Sequence, residues 1–229
     1  ILTALLPASL ADLGAAEPRP NILFILADDL GYGDVGCYND RAKVPTPNLD
    51  RLAREGMRFT DAHSPATVCT PSRYSLMTGQ MAFRVPNGGT VFEGVGGPSL
   101  IAPGRLTLPA MLRANGYATA CVGKWHVGLT FFDQDGQPIR GGGLEAVRRV
   151  DFSRRIEGGP VDHGFDSFFG TACCPTTDWL YAFIEDDRVP VPPTGKLDKT
   201  TLPKHPYADD CRAGVIATNW PMAEIDLVF

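Results

Sequence analysis

The sequence predicts an α/β protein whose doubly wound, mainly parallel sheet is flanked by helices. Residues 22–27 form an apolar run without alternation, which is typical of a strand buried on both faces. Further along, segments with strand and helix patterns alternate. This order indicates parallel pairing, because consecutive parallel strands are joined by a crossover that is usually a helix.

The stretch "PTPNLDRLAREG", residues 45–56, predicts the first helix. Thr46 suits the N-cap, Pro47 the first helical position and Gly56 the C-cap. One apolar face is expected along this helix, made of Leu49, Leu52 and Ala53.

A second helix and two further strands complete the pattern. In "LTLPAMLRANG", Thr107 is the expected cap, Pro109 lies in the first turn and Gly116 ends the helix. Strands are predicted within "MRFTDAH", residues 57–63, and "YATACVGKWHVG", residues 117–128.

The remaining segments are expected to be a leader and loops. Residues 1–18 are apolar and rich in alanine, like the remnant of a signal peptide or a disordered tail, which favours a periplasmic or secreted location. Residues 19–229 are expected to form the N-terminal part of one catalytic domain. Within it, residues 131–160 are rich in glycine and 186–206 in proline, so both are predicted to be long loops.

Charge and cysteine content exclude several classes of protein. A formal net charge of −5 and a pI near 5.3 argue against a nucleic-acid partner. The apolar N-terminal stretch is too short for a stable membrane span. Six cysteines without a C-x-x-C pair argue against a disulfide scaffold or zinc ribbon. Cys37 and Cys121 are expected to be buried apolar residues, and the sequence leaves open whether Cys173 and Cys174 are bridged.

Two groups of side chains suggest a site that binds a metal and an anion. Asp28 and Asp29 follow the first apolar run and offer the hard oxygen ligands that Ca²⁺ or Mg²⁺ prefers. Cys69 precedes a helix whose free N–H groups favour an anion, and Arg73 lies one turn further. Each group also has a simpler interpretation, as a solvated turn or a surface helix residue.

Lys124 and His126 form a third group at a predicted strand end. A lysine there can bind an anion, and a histidine can carry a proton. Alternatively, Lys124 is solvated and His126 is a hydrogen-bonded structural residue. Because ligands in open α/β sheets bind beyond the carboxyl ends of the strands, the three groups together predict a site for a tetrahedral oxyanion ester.

At these residues the sequence resembles the sulfatase family, of the alkaline-phosphatase-like superfamily. The likeness covers about residues 20–185 and follows the family's motifs in order and spacing. The matching stretches are "PNILFILADDLGYGDVGCY", "PTPNLDRLAREGMRFTDAHSPATVCTPSR", "GYATACVGKWHVG" and "DHGFDSFFG". The resemblance implies an alkaline-phosphatase-like fold whose C-terminal part is missing from this chain.

The resemblance also implies a modified cysteine and a metal. Cys69, in C-x-P-S-R, would be oxidised to formylglycine by a maturase that recognises the linear stretch. Asp28 and Asp29 would bind Ca²⁺ together with the residue derived from Cys69. The family's later Asp-Asn metal pair, second histidine and second lysine have no match before Phe229.

The chemistry implied is hydrolysis of aryl or carbohydrate sulfate esters. One hydroxyl of the hydrated aldehyde attacks sulfur, and the other then expels sulfate by re-forming the aldehyde. Arg73 would steady the formylglycine, Lys124 would contact the sulfate and His126 would assist proton removal. Two alternatives remain: a phosphonate or phosphate monoester hydrolase of the same superfamily, and a non-catalytic or vestigial protein that binds sulfated glycans.

Overall fold

The computed structural model describes residues 19–198, 200 and 211–221, and the chain divides into two compact units, residues 1–60 and 61–229. The predicted leader, residues 1–18, lies outside the described residues. No described helix is long and apolar enough to cross a membrane. The assignment of 19–229 to one catalytic domain stays a prediction.

The described part of the first unit, residues 19–60, contains one α-helix, α1 (Pro47–Glu55), and a 3₁₀ turn at Tyr32–Asp34. The predicted bounds of α1 are confirmed, with Thr46 at the N-cap position and Gly56 at the C-cap position. The Thr46 hydroxyl does not cap the helix: it accepts from the N–H of Gly36 (2.7 Å) and donates to Asp50 (3.0 Å). This threonine therefore ties the preceding loop to the first turn of α1.

The predicted buried strand over residues 22–27 is wrong for the described structure. These residues have no strand pairing, and Leu23 and Ile25 are 85% and 75% exposed. A strand buried on both faces needs a hydrogen-bonded neighbour on each side, and the described residues of the first unit provide none. The strand predicted within residues 57–63 is likewise absent, and those residues are exposed.

The described part of the second unit is a mixed α/β structure with two three-stranded sheets. Its α-helices are α2 (Cys69–Thr78), α3 (Leu108–Ala114) and α4 (Leu144–Arg148), and its strands are β1 (Ala120–Lys124), β2 (Ser167–Thr171), β3 (Leu180–Tyr181), β4 (Ile184–Glu185), β5 (Gly195–Leu197) and β6 (Gly214–Ile216). One sheet has the order β1-β2-β4 and the other β3-β6-β5, and each contains one parallel and one antiparallel pair. The described sheets are thus smaller and more mixed than the predicted doubly wound sheet.

The parallel pair β1–β2 positions the residues at the candidate site. Its register aligns Gly123 with Gly170 and ends with Lys124 opposite Thr171. Before the strands begin, Asp166 accepts hydrogen bonds from the N–H of Thr119 (2.8 Å) and from its hydroxyl (3.0 Å). These hydrogen bonds hold the pKa of Asp166 below its ordinary value, so the carboxylate that fixes the register is ionised.

Both predicted elements around residue 120 are confirmed. Helix α3 begins after Thr107, whose hydroxyl accepts from the N–H of Ala110 (3.3 Å). Lys124 is the last residue of β1 rather than the first residue past it, whereas His126 lies beyond the strand as expected.

The predicted loop over residues 131–160 is in fact a large part of the core. It includes α4, and several of its apolar side chains are at most 7% exposed. Its glycines mark turns, while the apolar residues between them pack inward. The buried side chains of this segment include Phe131, Ile139, Val147, Val150 and Ile156. In the segment 186–206, β5 interrupts the predicted loop, and residues 199 and 201–206 lie outside the described part.

Candidate active site

Cys69 is the first residue of α2, and its side chain is half-buried. Val68 before it is extended (φ −133°, ψ 159°), so the chain enters the helix at the cysteine. The backbone N–H groups of a first helical turn have no intrahelical acceptor and favour a negative charge. The sequence prediction of a cysteine at a helix N-terminus is therefore confirmed.

Arg73 connects α2 to β1. It lies one turn after Cys69 and is half-buried, which does not fit the alternative of a surface helix residue. Its Nη1 donates a hydrogen bond to the main-chain carbonyl of Lys124. Because a guanidinium stays charged in proteins, this contact is a charge-assisted hydrogen bond between the helix and the carboxyl end of the strand.

Backbone pairing continues past the formal ends of β1 and β2. The N–H of Trp125 donates to Thr171 (3.0 Å), and that of His126 donates to Ala172 (2.9 Å). The two segments therefore leave the sheet side by side. This arrangement carries His126 and the pair Cys173–Cys174 to the same edge, at the carboxyl ends of parallel strands.

The His126 side chain is held in a defined orientation. It is 1% exposed, and its Nε2 lies 2.6 Å from the carbonyl oxygen of Phe92. A carbonyl can only accept, so Nε2 carries the proton and Nδ1 is the acceptor nitrogen. Nδ1 lies 4.0 Å from the sulfur of Cys174. The backbone of His126 is left-handed (φ 57°), a conformation that is costly outside glycine and often found at functional sites.

Lys124 and the thiols of Cys173 and Cys174 share an electrostatic environment. Burial raises the pKa of the Cys174 thiol, and the charge and hydrogen bond of Lys124 oppose that rise. The pKa of Cys173 is raised well above its ordinary value, again mainly by burial. Asp178, whose pKa burial also raises, accepts from the backbone N–H of Cys174 (2.5 Å). The positively charged Lys124 side chain and the weakly acidic thiols of Cys173 and Cys174 thus lie close together.

The donor atoms of Cys69, His126 and Cys174 lie within 4.8 Å of one another. The structure therefore brings Cys69 together with His126, joins Arg73 to Lys124, and places Lys124 against Cys174. All six cysteines are free thiols, which answers the open question about Cys173 and Cys174.

Cys174 and Asp178 were not predicted as site residues. The signal was present, since "DSFFGTACC" is a strand followed directly by cysteines. Ligands in such folds lie beyond the carboxyl ends of parallel strands. The same rule that was used for residues 117–128 would have identified Cys174 if it had been applied to the strand pattern before residue 172.

Asp28 and Asp29 belong to the first unit. Both lie in an exposed turn, and the backbone of Asp29 is left-handed (φ 56°). Their carboxylate oxygens fit the preference of Ca²⁺, which takes six to eight oxygen ligands. Within the described residues, neither belongs to a cluster of three or more potential ligand side chains. The pair fits calcium by chemistry, and a complete coordination shell requires further oxygen donors.

Two open depressions of about 640 Å³ each lie away from these side chains. The first is lined within residues 36–58 of the first unit. The second, in the second unit, is bordered by Arg155 and His163. Neither is lined by Cys69 or the other predicted catalytic residues, so the chemistry described here rests on the side-chain cluster.

Comparison with known proteins assigns the family. The family model described as Sulfatase matches residues 20–204, which is well over half of the chain. The chain belongs to the sulfatase family. Its match to the steryl-sulfatase of Mus musculus is 38% identical over 194 residues, covering 78% of this chain and 27% of the relative.

Other members of the sulfatase family show the same partial coverage. Arylsulfatase A of Homo sapiens is 46% identical over 129 residues, covering 55% of this chain and 24% of the relative. The N-acetylgalactosamine-6-O-sulfatase of Bacteroides thetaiotaomicron is 45% identical over 127 residues, covering 52% and 22%. The chain thus spans about a quarter of the length of these relatives.

A solved structure shares the fold. This protein, described in connection with the metabolism of multiple glycosaminoglycans by Bacteroides thetaiotaomicron, is 33% identical to the chain with a TM-score of 0.62. The match covers 79% of this sulfatase-family chain and 35% of the solved one. The two small mixed sheets therefore belong to the alkaline-phosphatase-like fold of sulfatases.

Proposed function

We propose that the full-length protein hydrolyses aryl or carbohydrate sulfate esters, using a formylglycine derived from Cys69 and a bound Ca²⁺. The observation that carries this proposal is the meeting of α2 with the end of β1. There Arg73 is hydrogen-bonded to the main-chain carbonyl of Lys124, and Lys124 acts on Cys174. Cys69 and His126 belong with Cys174 to one cluster of donor atoms. The proposed whole-protein architecture is the doubly wound, mainly parallel sheet that the sequence predicts.

Residue 69 and Arg73 provide the reacting position. A formylglycine at residue 69 supplies, as its hydrate, a hydroxyl that can attack sulfur and a second hydroxyl on the same carbon. Arg73 holds the first turn of α2 against the carbonyl of Lys124, so the position of residue 69 relative to the strand is fixed. The N–H groups of that turn favour the negative charge of a sulfate.

Lys124 and His126 have separate tasks in this proposal. The Lys124 ammonium binds a sulfate oxygen and stabilises the charge that develops on it. His126 keeps Nε2 on the carbonyl of Phe92, so its Nδ1 takes a proton from residue 69. Sulfate release should depend on that proton transfer.

Calcium is the expected partner of Asp28 and Asp29. When bound, it would supply positive charge that can neutralise negative charge on a sulfate ester. Both carboxylates are needed as hard oxygen ligands, so Asp29→Asn should weaken Ca²⁺ binding. Calorimetric titration of Ca²⁺ into the full-length protein measures this directly. Equal affinity in the variant and the wild type would remove Asp29 from the site.

The decisive experiment measures the state of residue 69 and the turnover together. Full-length protein co-expressed with a maturase should yield a peptide about 18 Da lighter than the cysteine form, from loss of H₂S and gain of oxygen. It should hydrolyse p-nitrophenyl sulfate faster than p-nitrophenyl phosphate. Cys69→Ala should abolish turnover, whereas the control Cys37→Ser should keep both the mass change and the activity.

Several outcomes would contradict this proposal. An active enzyme with an intact thiol at Cys69 would exclude formylglycine, and faster turnover of the phosphate ester would favour the phosphatase alternative. A converted protein that binds sulfated glycans without turnover would support the non-catalytic alternative.

We also propose a periplasmic or secreted location, which the Ala-rich residues 1–18 support. Fractionation of cells that express the full-length protein tests this location.

A further inference from the structure

Three soft donor groups meet at the candidate active site. The ligand atoms of Cys69, His126 and Cys174 lie within 4.8 Å of one another, and Nδ1 of His126 is 4.0 Å from the Cys174 sulfur. Calcium prefers oxygen ligands, so this set of two sulfurs and one nitrogen is not suited to it. Two thiolates and an imidazole instead suit Zn²⁺ and related thiophilic dications.

The spacing is close to that of a tetrahedral zinc site. Zn–S and Zn–N bonds of about 2.3 and 2.05 Å place neighbouring ligand atoms about 3.6 Å apart in a tetrahedron. The observed separation of 4.0 Å between Nδ1 of His126 and the Cys174 sulfur therefore requires a closure of about 0.4 Å, and a pair at the 4.8 Å limit of the cluster would require about 1 Å. Side-chain rotation of the two half-buried cysteines can provide such a small movement.

The groups around these donors already have the orientation that metal binding needs. Histidine ligands usually donate their second ring N–H to a carbonyl or carboxylate, and His126 donates Nε2–H to Phe92. That bond leaves Nδ1 as the donor atom on the side of Cys174. The backbone of Cys174 is in turn fixed by its N–H bond to Asp178. Apart from the Lys124 ammonium, which contacts Cys174 and has to turn away from the ion, little rearrangement is needed when a cation enters.

We propose that the chain whose Cys69 is still a thiol binds one Zn²⁺ through Cys69, His126 and Cys174. Each coordinating thiol releases its proton to solvent, and the two thiolates balance the charge of the cation. Three protein ligands leave the fourth coordination position open to water or another ligand. While the ion is bound, the sulfur of Cys69 is occupied, so the ion competes with the conversion of this residue.

This proposal concerns the unconverted chain and does not depend on sulfate turnover. The experiment therefore uses the full chain expressed without a maturase and kept reduced, with the thiol at Cys69 verified by mass. Co²⁺ is titrated first, because tetrahedral thiolate coordination gives it intense charge-transfer and visible bands. Zn²⁺ should then displace it, and competition with a chromophoric chelator gives the zinc affinity.

We expect one equivalent of metal, and at least tenfold weaker binding for both Cys69→Ser and Cys174→Ser. Serine is close to cysteine in size, so both variants should fold, and circular dichroism checks this. The control Cys37→Ser alters a half-buried thiol of the first unit and should bind like the wild type. His126→Asn should also weaken binding, since asparagine tolerates the left-handed backbone but lacks the ring nitrogen.

Two results would overturn the proposal. The first is the absence of thiolate-to-cobalt bands at one equivalent. The second is a zinc affinity that is unchanged in both Cys69→Ser and Cys174→Ser, which would place the metal elsewhere. If a maturase fails to convert Cys69, the proposed function fails while the zinc result stands, so the two failures can be distinguished.

Discussion

The pairing of β1 with β2 can be tested by adding a single methyl group at Gly170. A Cβ at this residue would lie 1.8 Å from the carbonyl oxygen of Gly123 and 2.9 Å from the ring of Phe168. The first contact is with backbone, which cannot rotate away, so the strands must separate by more than 1 Å. Overpacking of this severity costs about 3 kcal/mol or more. Gly170→Ala should therefore lower the free energy of unfolding by at least that amount.

Urea unfolding of the chain, followed by circular dichroism, measures this loss. Gly89→Ala is the matched control, because a Cβ there meets no atom within 4 Å, and its free energy of unfolding should stay within about 0.5 kcal/mol of the wild type. The same strand separation should displace Lys124 and His126. A Gly170→Ala variant as stable as Gly89→Ala would refute the close approach of the two strands.

The remaining predictions concern four single side chains. Burial raises the pKa of Cys121 from 9.0 to about 11, so its alkylation by iodoacetamide should reach half its maximal rate near pH 11, whereas a midpoint near 9 would contradict the burial. Because the folded state raises this pKa, the thiol's contribution to stability is intact below pH 9 and falls as the pH rises towards 11, and Cys121→Ala should lose less stability over that interval. The pKa of Asp166 is lowered, chiefly by hydrogen bonds from Thr119, so its contribution is present above the ordinary aspartate pKa and is lost in acid. Asp166→Asn should therefore have a lower Tm than the wild type at pH 7 and an equal one at pH 2; a constant difference would refute this. On the proposed sulfatase mechanism, Lys124→Ala in the full-length protein should raise KM and lower kcat, with a total loss of about 2–4 kcal/mol, whereas His126→Asn should give a burst of released alcohol followed by slow turnover. A normal steady state without a burst in His126→Asn would make the histidine structural.

Local signals in the sequence were sufficient for α1, α2 and α3 and for part of the site, but not for α4. Proline and glycine at the two ends define α1 within one residue, because both act through backbone geometry that neighbours cannot override. Local sequence also placed Cys69 correctly at the start of α2. Lys124 and His126 were expected at a strand end, and the structure puts them there.

Features that depend on non-local packing were not predictable in this way. The run of residues 22–27 has the composition of a central strand, but a strand exists only where a neighbour pairs with it, and composition does not specify that neighbour. The frequent glycines of residues 131–160 indicated a loop. The apolar residues between these glycines are spaced irregularly, so no helix or strand period shows that they pack into the core. Cys174 reaches His126 only because β1 and β2 run in parallel and in register.

Lys124 combines two contacts that differ in how mutation affects them. Its ammonium acts on Cys174, whereas its main-chain carbonyl holds Arg73. Any residue at position 124 retains a carbonyl, so genetic drift there can remove the positive charge without loosening α2 from β1. A mutation of Arg73 does remove this hydrogen bond between α2 and β1, since the Arg73 side chain is its donor. Selection on the shape of this region therefore acts on position 73, and selection on its charge acts on position 124. A descendant could lose that charge while keeping its architecture.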